Sequence, residues 1–479
     1  MMPRVFFCFL LILPAVWLAQ ARADNLPDLG DESAAALSPA QELQLGESIM
    51  REIHASPAYL DDPDIADYLN DLGLRLTSNS PEPGRHFEFF LIEDNTVNAF
   101  ALPGGYIGVH TGLLLVAQSE SELASVLGHE IAHVTQHHVA RMIAAQHRAG
   151  MASMAALALA ILAARSNANV SEAAIAAAAA APIQSGLTFT RENEREADRI
   201  GLQIVEKSGF DAHAMPVFFE RLQRATRVYD SGAPSYLRTH PVTYERIAEI
   251  ENRIQSLPYR QVPDSLDFQL VRARLAARQG TPREAVQNFS RMVSEHKYVS
   301  EASARYGLVF ALLRANDLKR AGEELPALQA LARDDPMVAS LAAEVNVKRG
   351  AIDQGLAIYK TALGSYPSRN SLAYGYARAL IGLGRYRQAA DFVTDRIEDG
   401  QEDARLYELQ AQAYAALGKK LAHHRAQAEA YLLRGNLRGA IEQLQIAKAA
   451  GDGDFYQQSA VEARLKELMQ LDTEQHRKN

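Results

Sequence analysis

The chain has 479 residues, 48% of them hydrophobic, and carries 49 basic against 58 acidic side chains for a net charge of −9. That is enough material for two or more packed domains, and a moderately acidic chain without a basic block is a poor partner for nucleic acid. Its single cysteine, Cys8, offers no internal disulfide, so stability must come from packed cores.

At the start of the chain, Arg4 precedes an apolar run from Val5 to Leu18 and the small-x-small triplet Ala21-Arg22-Ala23. This pattern predicts a secretory signal peptide over 1–23, with the mature protein beginning near Asp24. Cys8 lies inside the apolar run, so the exported protein has no thiol and no cysteine-based chemistry. The run is 14 residues long, short of the roughly 20 that a helical span needs, which leaves an uncleaved anchor as the lesser reading. Ser38-Pro39 with Gln41 then marks a helix start. His86 to Ile92 and Tyr106 to His110 read as strands, with Gly104 and Gly105 as turn residues between them. The segment Asn98, Ala99, Phe100 and Ala101 is a candidate substrate-binding edge, since a strand near a reactive centre can pair with an extended peptide. An ordinary core hairpin explains the same spacing.

The densest chemistry follows. Ser119 and Glu122 form a capping-box pair ahead of Leu123, Val126, Leu127, Ile131 and Val134, which recur at helical spacing. On that helix His129 and His133 lie one turn apart on the same face, so both imidazoles can hold one metal ion. Glu130 is one residue round, placed to reach a water beside the ion and act as general base. Glu194 is the candidate third ligand, on a helix predicted over 191–207, and Asp198 lies one turn further along the same face, placed to take the spare N–H of a ligand histidine. Two histidines and a carboxylate with a fourth position open is the donor set of a catalytic zinc site, one ion per chain. Glu196 is expected to point elsewhere into solvent. His137, about 12 Å of helix rise from His129, is too far to share the ion, and it and His138 read as surface or supporting residues. His240, in Thr239-His240-Pro241 with Arg246 nearby, is a candidate for the same site, either as an oxyanion donor, as a fourth ligand, or as a structural histidine. Arg246 is kept as a candidate substrate contact.

Between the two halves of this constellation, Met151 to Ala164 is almost wholly apolar and Ala173 to Ala181 almost wholly alanine. The segment from Ala149 to Pro182 reads as two short helices forming a lid, with peripheral membrane contact as the second reading. After Pro258 and Pro263 the chain becomes repetitive. Gly280, Asn316, Gly350, Gly384 and Gly418 are 36, 34, 34 and 34 residues apart, and Gly435 follows half a period later. A small residue comes five positions after most of these turns, at Ala285, Ala321, Gly355, Ala389 and Ala440. The fullest unit has Ala343, Gly350, Gly355, Tyr359, Ala362 and Pro367, positions that resemble the tetratricopeptide repeat. The unit after Gly418 departs, with His423 at the small position and an unbroken stretch from Lys419 to Arg434, which puts its helix pairing in doubt.

Taken together, the leader, the His129-to-Asp198 constellation and the repeats resemble the periplasmic β-barrel assembly-enhancing metalloproteases. Their protease domain is similar to those of HtpX and the CaaX prenyl protease, which share the zinc helix plus Glu-x-x-Ala-Asp, here Glu194 to Asp198. The resemblance implies a mainly α chain: a zincin-like α+β metalloprotease domain with a small sheet (24–257), then an α-solenoid of tetratricopeptide-like repeats (258–479). It implies Zn2+ held by His129, His133 and Glu194, Glu130 as base, and His240 as a latent fourth ligand. It also implies a periplasmic endopeptidase whose partners are outer-membrane β-barrel proteins, their assembly machinery and misfolded clients. The rival expectation is a chaperone or adaptor that works through the repeats while its zinc site stays mostly latent.

Overall fold

The computed structural model describes residues 38–145, 190–228, 235–401 and 403–478. The expected signal peptide, Cys8 and the 149–182 segment lie outside the described residues. The rest is mainly helical with one small sheet, as expected.

Strands β1 (Glu88–Ile92), β2 (Ala99–Ala101) and β3 (Tyr106–His110) are ordered β1-β3-β2, with β1 parallel and β2 antiparallel to β3. The turn into β3 requires glycine. Gly105 sits at φ +87°, and a Cβ there would lie 1.9 Å from the carbonyl oxygen of His86. β2 is an edge strand, so one side of its backbone has no strand partner among the described residues.

The helix Glu120–Thr135 carries His129, Glu130 and His133, and we call it the metal helix. Ser119 caps it by accepting the N–H of Glu122. The reciprocal half of the expected box is missing, because the Glu122 carboxylate accepts the N–H of Gln118 at 2.6 Å and pairs with Arg221. All 16 residues of this helix are buried, so it is a central element of the domain and has no solvent face. Against it packs the carboxylate helix, Arg191–Lys207, capped by Thr190 and bearing Glu194 and Asp198.

Two glycines set how closely these helices approach. A Cβ on Gly201 would lie 2.9 Å from the backbone nitrogen of His129 and 3.0 Å from Gly128, and one on Gly128 would lie 3.1 Å from the Gly201 carbonyl oxygen. Gly201 follows Asp198 by three residues and Glu194 by seven, which puts all three on one helical face. The backbone contact at Gly201 therefore presses both carboxylates toward the histidines.

The repeat array is a succession of helix pairs from Leu266 to Lys478. Every periodic turn residue, Gly280, Asn316, Gly350, Gly384, Gly418 and Gly435, has positive φ, between +58° and +90°. That is the left-handed region favoured by glycine and tolerated by asparagine, which is why the period is legible. Ala285, Ala321, Ala389 and Ala440 are all buried. The doubtful unit is regular: helix Lys420–Leu433 packs on both neighbours, and His423 Nδ1 lies 3.0 Å from the carbonyl oxygen of Ala411.

The expected division near residue 257 falls in the connection between helices Tyr244–Ile254 and Leu266–Arg278. It is not a break in packing. One apolar core runs from Leu60 to Val345, because helix Leu266–Arg278 packs on helix Pro63–Thr77 and on the short helix Thr111–Val116. Farther repeats also return to helix 63–77: Ser371 N–H donates to Asp67 at 2.9 Å, and Arg369 pairs with Asp71 at 2.9 Å, while also pairing at 3.0 Å with Asp267 on helix Leu266–Arg278.

Candidate metal centre

The metal helix places His129 Nε2 and His133 Nε2 3.0 Å apart. The carboxylate helix brings Glu194 between them, with one oxygen 3.5 Å from His129 Nε2 and the other 3.5 Å from His133 Nε2. His240 comes from the end of the short helix Ser235–Thr239, where its N–H donates to the carbonyl of Tyr236 at 2.8 Å and its ring stacks on the Tyr236 ring at 4.8 Å. Its Nδ1 lies 3.0 Å from Glu194 Oε1 and 3.4 Å from His129 Nε2. These four side chains are buried, and one ligand atom from each lies within 4.8 Å of all the others.

The residues fit a metal ion. Donors about 2.0–2.1 Å from a tetrahedral centre stand roughly 3.3–3.5 Å apart, and several donor pairs here stand 3.0 to 3.5 Å apart, with the four ligand atoms all within 4.8 Å of one another. Charge points the same way. Glu130, Glu194 and Asp198 are all buried with one buried guanidinium, Arg246, a balance that a divalent cation brings to neutrality.

The supporting contacts explain how the donors are held. Asp198 Oδ1 lies 3.0 Å from His129 Nδ1, where the second carboxylate was expected. Burial opposes a charge on His129, but Asp198 and Glu194 outweigh it and push its pKa up to about 9. Burial likewise works against ionised Glu194, yet His240 and His129 hold it well below the usual carboxylate range. His133 goes the other way: burial and the neighbouring His129 depress it. Glu130 is fully buried, and neither of its oxygens has a well-aligned hydrogen-bond partner. Burial raises its pKa, with His240 and His129 pulling against that. Its Oε1 lies 3.5 Å from His240 Nε2, and a buried carboxyl so weakly hydrogen-bonded is costly and marks a place kept open for chemistry.

Asn98, Ala99 and Phe100 are buried in or beside β2, with Ala101 half-buried at its end. Arg246, expected among the substrate contacts, is buried and committed inward. Its Nε and Nη2 donate to Asp198 at 2.7 and 2.8 Å, and Nη1 reaches Glu194 at 2.7 Å and the carbonyl of Pro241 at 2.8 Å. Glu196 also departs from expectation: it accepts from Arg141 at 3.0 Å and meets His138 at 3.1 Å. Sequence reasoning missed Gly128 and Gly201, whose only signal was their register with the ligands on each helix.

Residues 63–254 match the model of peptidase family M48, and residues 347–413 match a tetratricopeptide repeat model. The chain is 33% identical over 452 residues to the β-barrel assembly-enhancing protease of Escherichia coli K12, covering 94% of this chain and 92% of that one. It is 34% identical over 472 residues to a putative β-barrel assembly-enhancing protease of Vibrio cholerae, covering 97% of each. The mitochondrial metalloendopeptidase OMA1 of Schizosaccharomyces pombe is 32% identical over 195 residues, 41% of this chain and 54% of that protein. Similarity over nearly its whole length, joined to a buried His/Glu metal site, makes this chain a metallopeptidase of family M48 that belongs to the β-barrel assembly-enhancing proteases.

Proposed function

We propose that this chain is a periplasmic zinc endopeptidase that degrades misassembled outer-membrane β-barrel proteins and assists the assembly of others. The observation that carries this reading is the buried convergence of His129, His133 and Glu194 with the buried carboxyl of Glu130 beside them. The class of client comes from the names of the relatives. Zinc is the reading because two imidazoles and one carboxylate are a catalytic zinc donor set. Export rests on the leader pattern of 1–23, and no helix among the described residues is long and apolar enough to cross a membrane.

A bound ion of this kind polarises a substrate carbonyl and makes water acidic near neutral pH. His129, His133 and Glu194 hold it, while Asp198 and Arg246 keep His129 and Glu194 in place. Glu130 takes a proton from the attacking water on a carboxylate oxygen and returns it to the leaving amide nitrogen. Its raised proton affinity, caused by burial, suits both halves of that transfer. The backbone of Ala99 to Ala101, on the edge strand β2 beside the metal helix, is the candidate for aligning an extended peptide. The repeat array selects the client or docks the enzyme on assembly machinery.

His240 is read as a latent fourth ligand, because its Nδ1 stands among the other three donors. Replacing His240 by Ala is expected to release proteolysis of an unfolded client. A fall in activity would instead assign it the oxyanion role, and no change would leave it structural. The same insertion favours a second reading, an adaptor acting through the repeats with a mostly latent site.

Glu130→Gln in the full chain, assayed for bound zinc and for cleavage of an unfolded outer-membrane protein, tests the function. One zinc per chain with cleavage reduced about 10²–10⁴-fold is expected. Cleavage equal to wild type would sink the endopeptidase reading. Barrel assembly that survives while cleavage is lost would show that the adaptor role exists beside it.

A further inference from the structure

The metal helix ends at Thr135, and the chain turns sharply at His137, which has φ +53°. Glu82 and Arg85 hold that strained turn, with Glu82 Oε1 3.2 Å from His137 Nε2 and Arg85 Nη1 3.1 Å from Nδ1. The consequence is that His138 folds back beneath the metal helix. Its side chain is fully buried, its ring centroid lies 4.8 Å from that of His133, and its Nδ1 is 2.8 Å from His133 Nδ1. Its other nitrogen, Nε2, is 3.1 Å from Glu196 Oε2, the same oxygen that accepts from Arg141 Nη2 at 3.0 Å.

Two Nδ1 atoms 2.8 Å apart hold a single hydrogen between them. His133 turns Nε2 toward His129 and Glu194, so Nε2 must be bare to bind a cation, and the neutral ring then carries its hydrogen on Nδ1. It follows that His138 accepts on Nδ1, carries its own hydrogen on Nε2, and donates that hydrogen to Glu196. Every donor and acceptor along the line is then matched. The opposite tautomer of His133 would leave two lone pairs facing one another and block the ligand atom.

We propose that His138 and Glu196 are positioning residues that lock His133 in its metal-binding tautomer through a relay, His133 Nδ1–H to His138 Nδ1 and His138 Nε2–H to Glu196, with Arg141 anchoring the carboxylate. This inference rests on the metal-site reading of His133. It gives each helical ligand its own carboxylate: Asp198 touches His129 directly, whereas Glu196 reaches His133 through one intervening ring. The relay ends near the surface, since the side chains of Glu196 and Arg141 are 32% and 42% exposed. Metal affinity is thereby linked to an accessible ion pair that touches neither the ion nor the substrate.

The test measures Zn2+ affinity of the full chain by competition with a fluorescent chelator, alongside thermal melting of the metal-free protein. His138→Leu is expected to weaken binding 10–100-fold, the usual cost of removing a partner that orients a metal ligand. His138→Asn places an oxygen acceptor near the lost Nδ1 and is expected to recover binding to within about threefold. Equal losses from Leu and Asn would overturn the relay and leave His138 a packing residue. Should either variant fail to fold, Glu196→Ala at the half-exposed end decides alone. A fall of about 3–10-fold with unchanged melting is expected, and affinity within twofold of wild type would overturn the proposal. Imidazole nitrogen NMR of the metal-free chain gives a readout independent of loading: His133 protonated on Nδ1 is required, and protonation on Nε2 overturns the assignment. Zinc that binds none of the variants nor the wild type would count against the metal-site reading itself.

Discussion

Gly128 and Gly201 meet backbone to backbone where the metal helix crosses the carboxylate helix, with a Cβ on Gly201 only 3.0 Å from the Gly128 carbonyl oxygen. That contact sets the distance from Glu194 and Asp198 to the paired histidines. Gly201→Ala therefore opposes two effects. Alanine gains up to about 1 kcal/mol of helix propensity, but overpacking a contact this tight costs about 1–3 kcal/mol and parts the helices. The clash is expected to win, giving a lower melting temperature together with weaker zinc binding. A variant that melts higher and binds zinc normally would show that the helices have room to spare.

Arg246 is a buried guanidinium paired with both Asp198 and Glu194. Removing one partner of a buried ion pair leaves uncompensated charge and costs about 3–5 kcal/mol. Arg246→Met should lower thermal stability markedly, and adding Asp198→Asn should restore part of it, because one of the two stranded carboxylates is then neutral. Strict additivity of the two substitutions would contradict the pairing.

The seam between helix 63–77 and the repeats is expected to depend on pH. Burial pushes Asp67 up to about 7, and the nearby Asp64 adds to this, while Ser371 hydrogen bonds and Arg369 pull it down. Asp64 and Asp335, also buried, are raised to about 6 and about 7. A carboxyl whose folded pKa exceeds its unfolded value favours folding fully at pH below about 4, and that contribution is lost as pH rises through the folded pKa. Asp67→Asn keeps an acceptor for Ser371 and removes the charge, so it should raise the melting temperature at pH 8 and leave it nearly unchanged at pH 4. The ceiling is about 4 kcal/mol at about 1.4 kcal/mol per pKa unit. Equal shifts at both pH values would show that Asp67 ionises freely.

Glu130 is buried, neither of its oxygens has a well-aligned hydrogen bond, and His240 Nε2 stands 3.5 Å from Oε1. Neutralising it with Gln should stabilise the metal-free protein by about 1–3 kcal/mol while abolishing catalysis, a trade of stability for function. Removing metal from the wild type with a chelator should have the reverse effect, destabilising it by about 2.7 kcal/mol if zinc had been present at a hundred times its dissociation constant. Melting curves of the two proteins with and without chelator measure both shifts. A Glu130→Gln protein that melts below wild type in chelator would mean the carboxylate is better satisfied than its surroundings indicate.

What local sequence determined here was whatever depends on neighbours along the chain. The metal helix and the 191–207 helix follow from helical spacing, β1 and β3 from short runs with turn glycines between them, and the repeat turns from residues that tolerate positive φ. The ligand pair His129 and His133 and the carboxylates Glu194 and Asp198 were legible because one helical turn is a fixed length. Tertiary structure decided the remainder. It turned Arg246 inward, brought His240 to Glu194, folded His138 under His133 with Glu196 behind it, and ran one apolar core through the expected domain boundary. None of these has a local period, since each depends on how closely two backbones approach. That approach was set by absent side chains at Gly128 and Gly201 and by long-range pairing of buried charge.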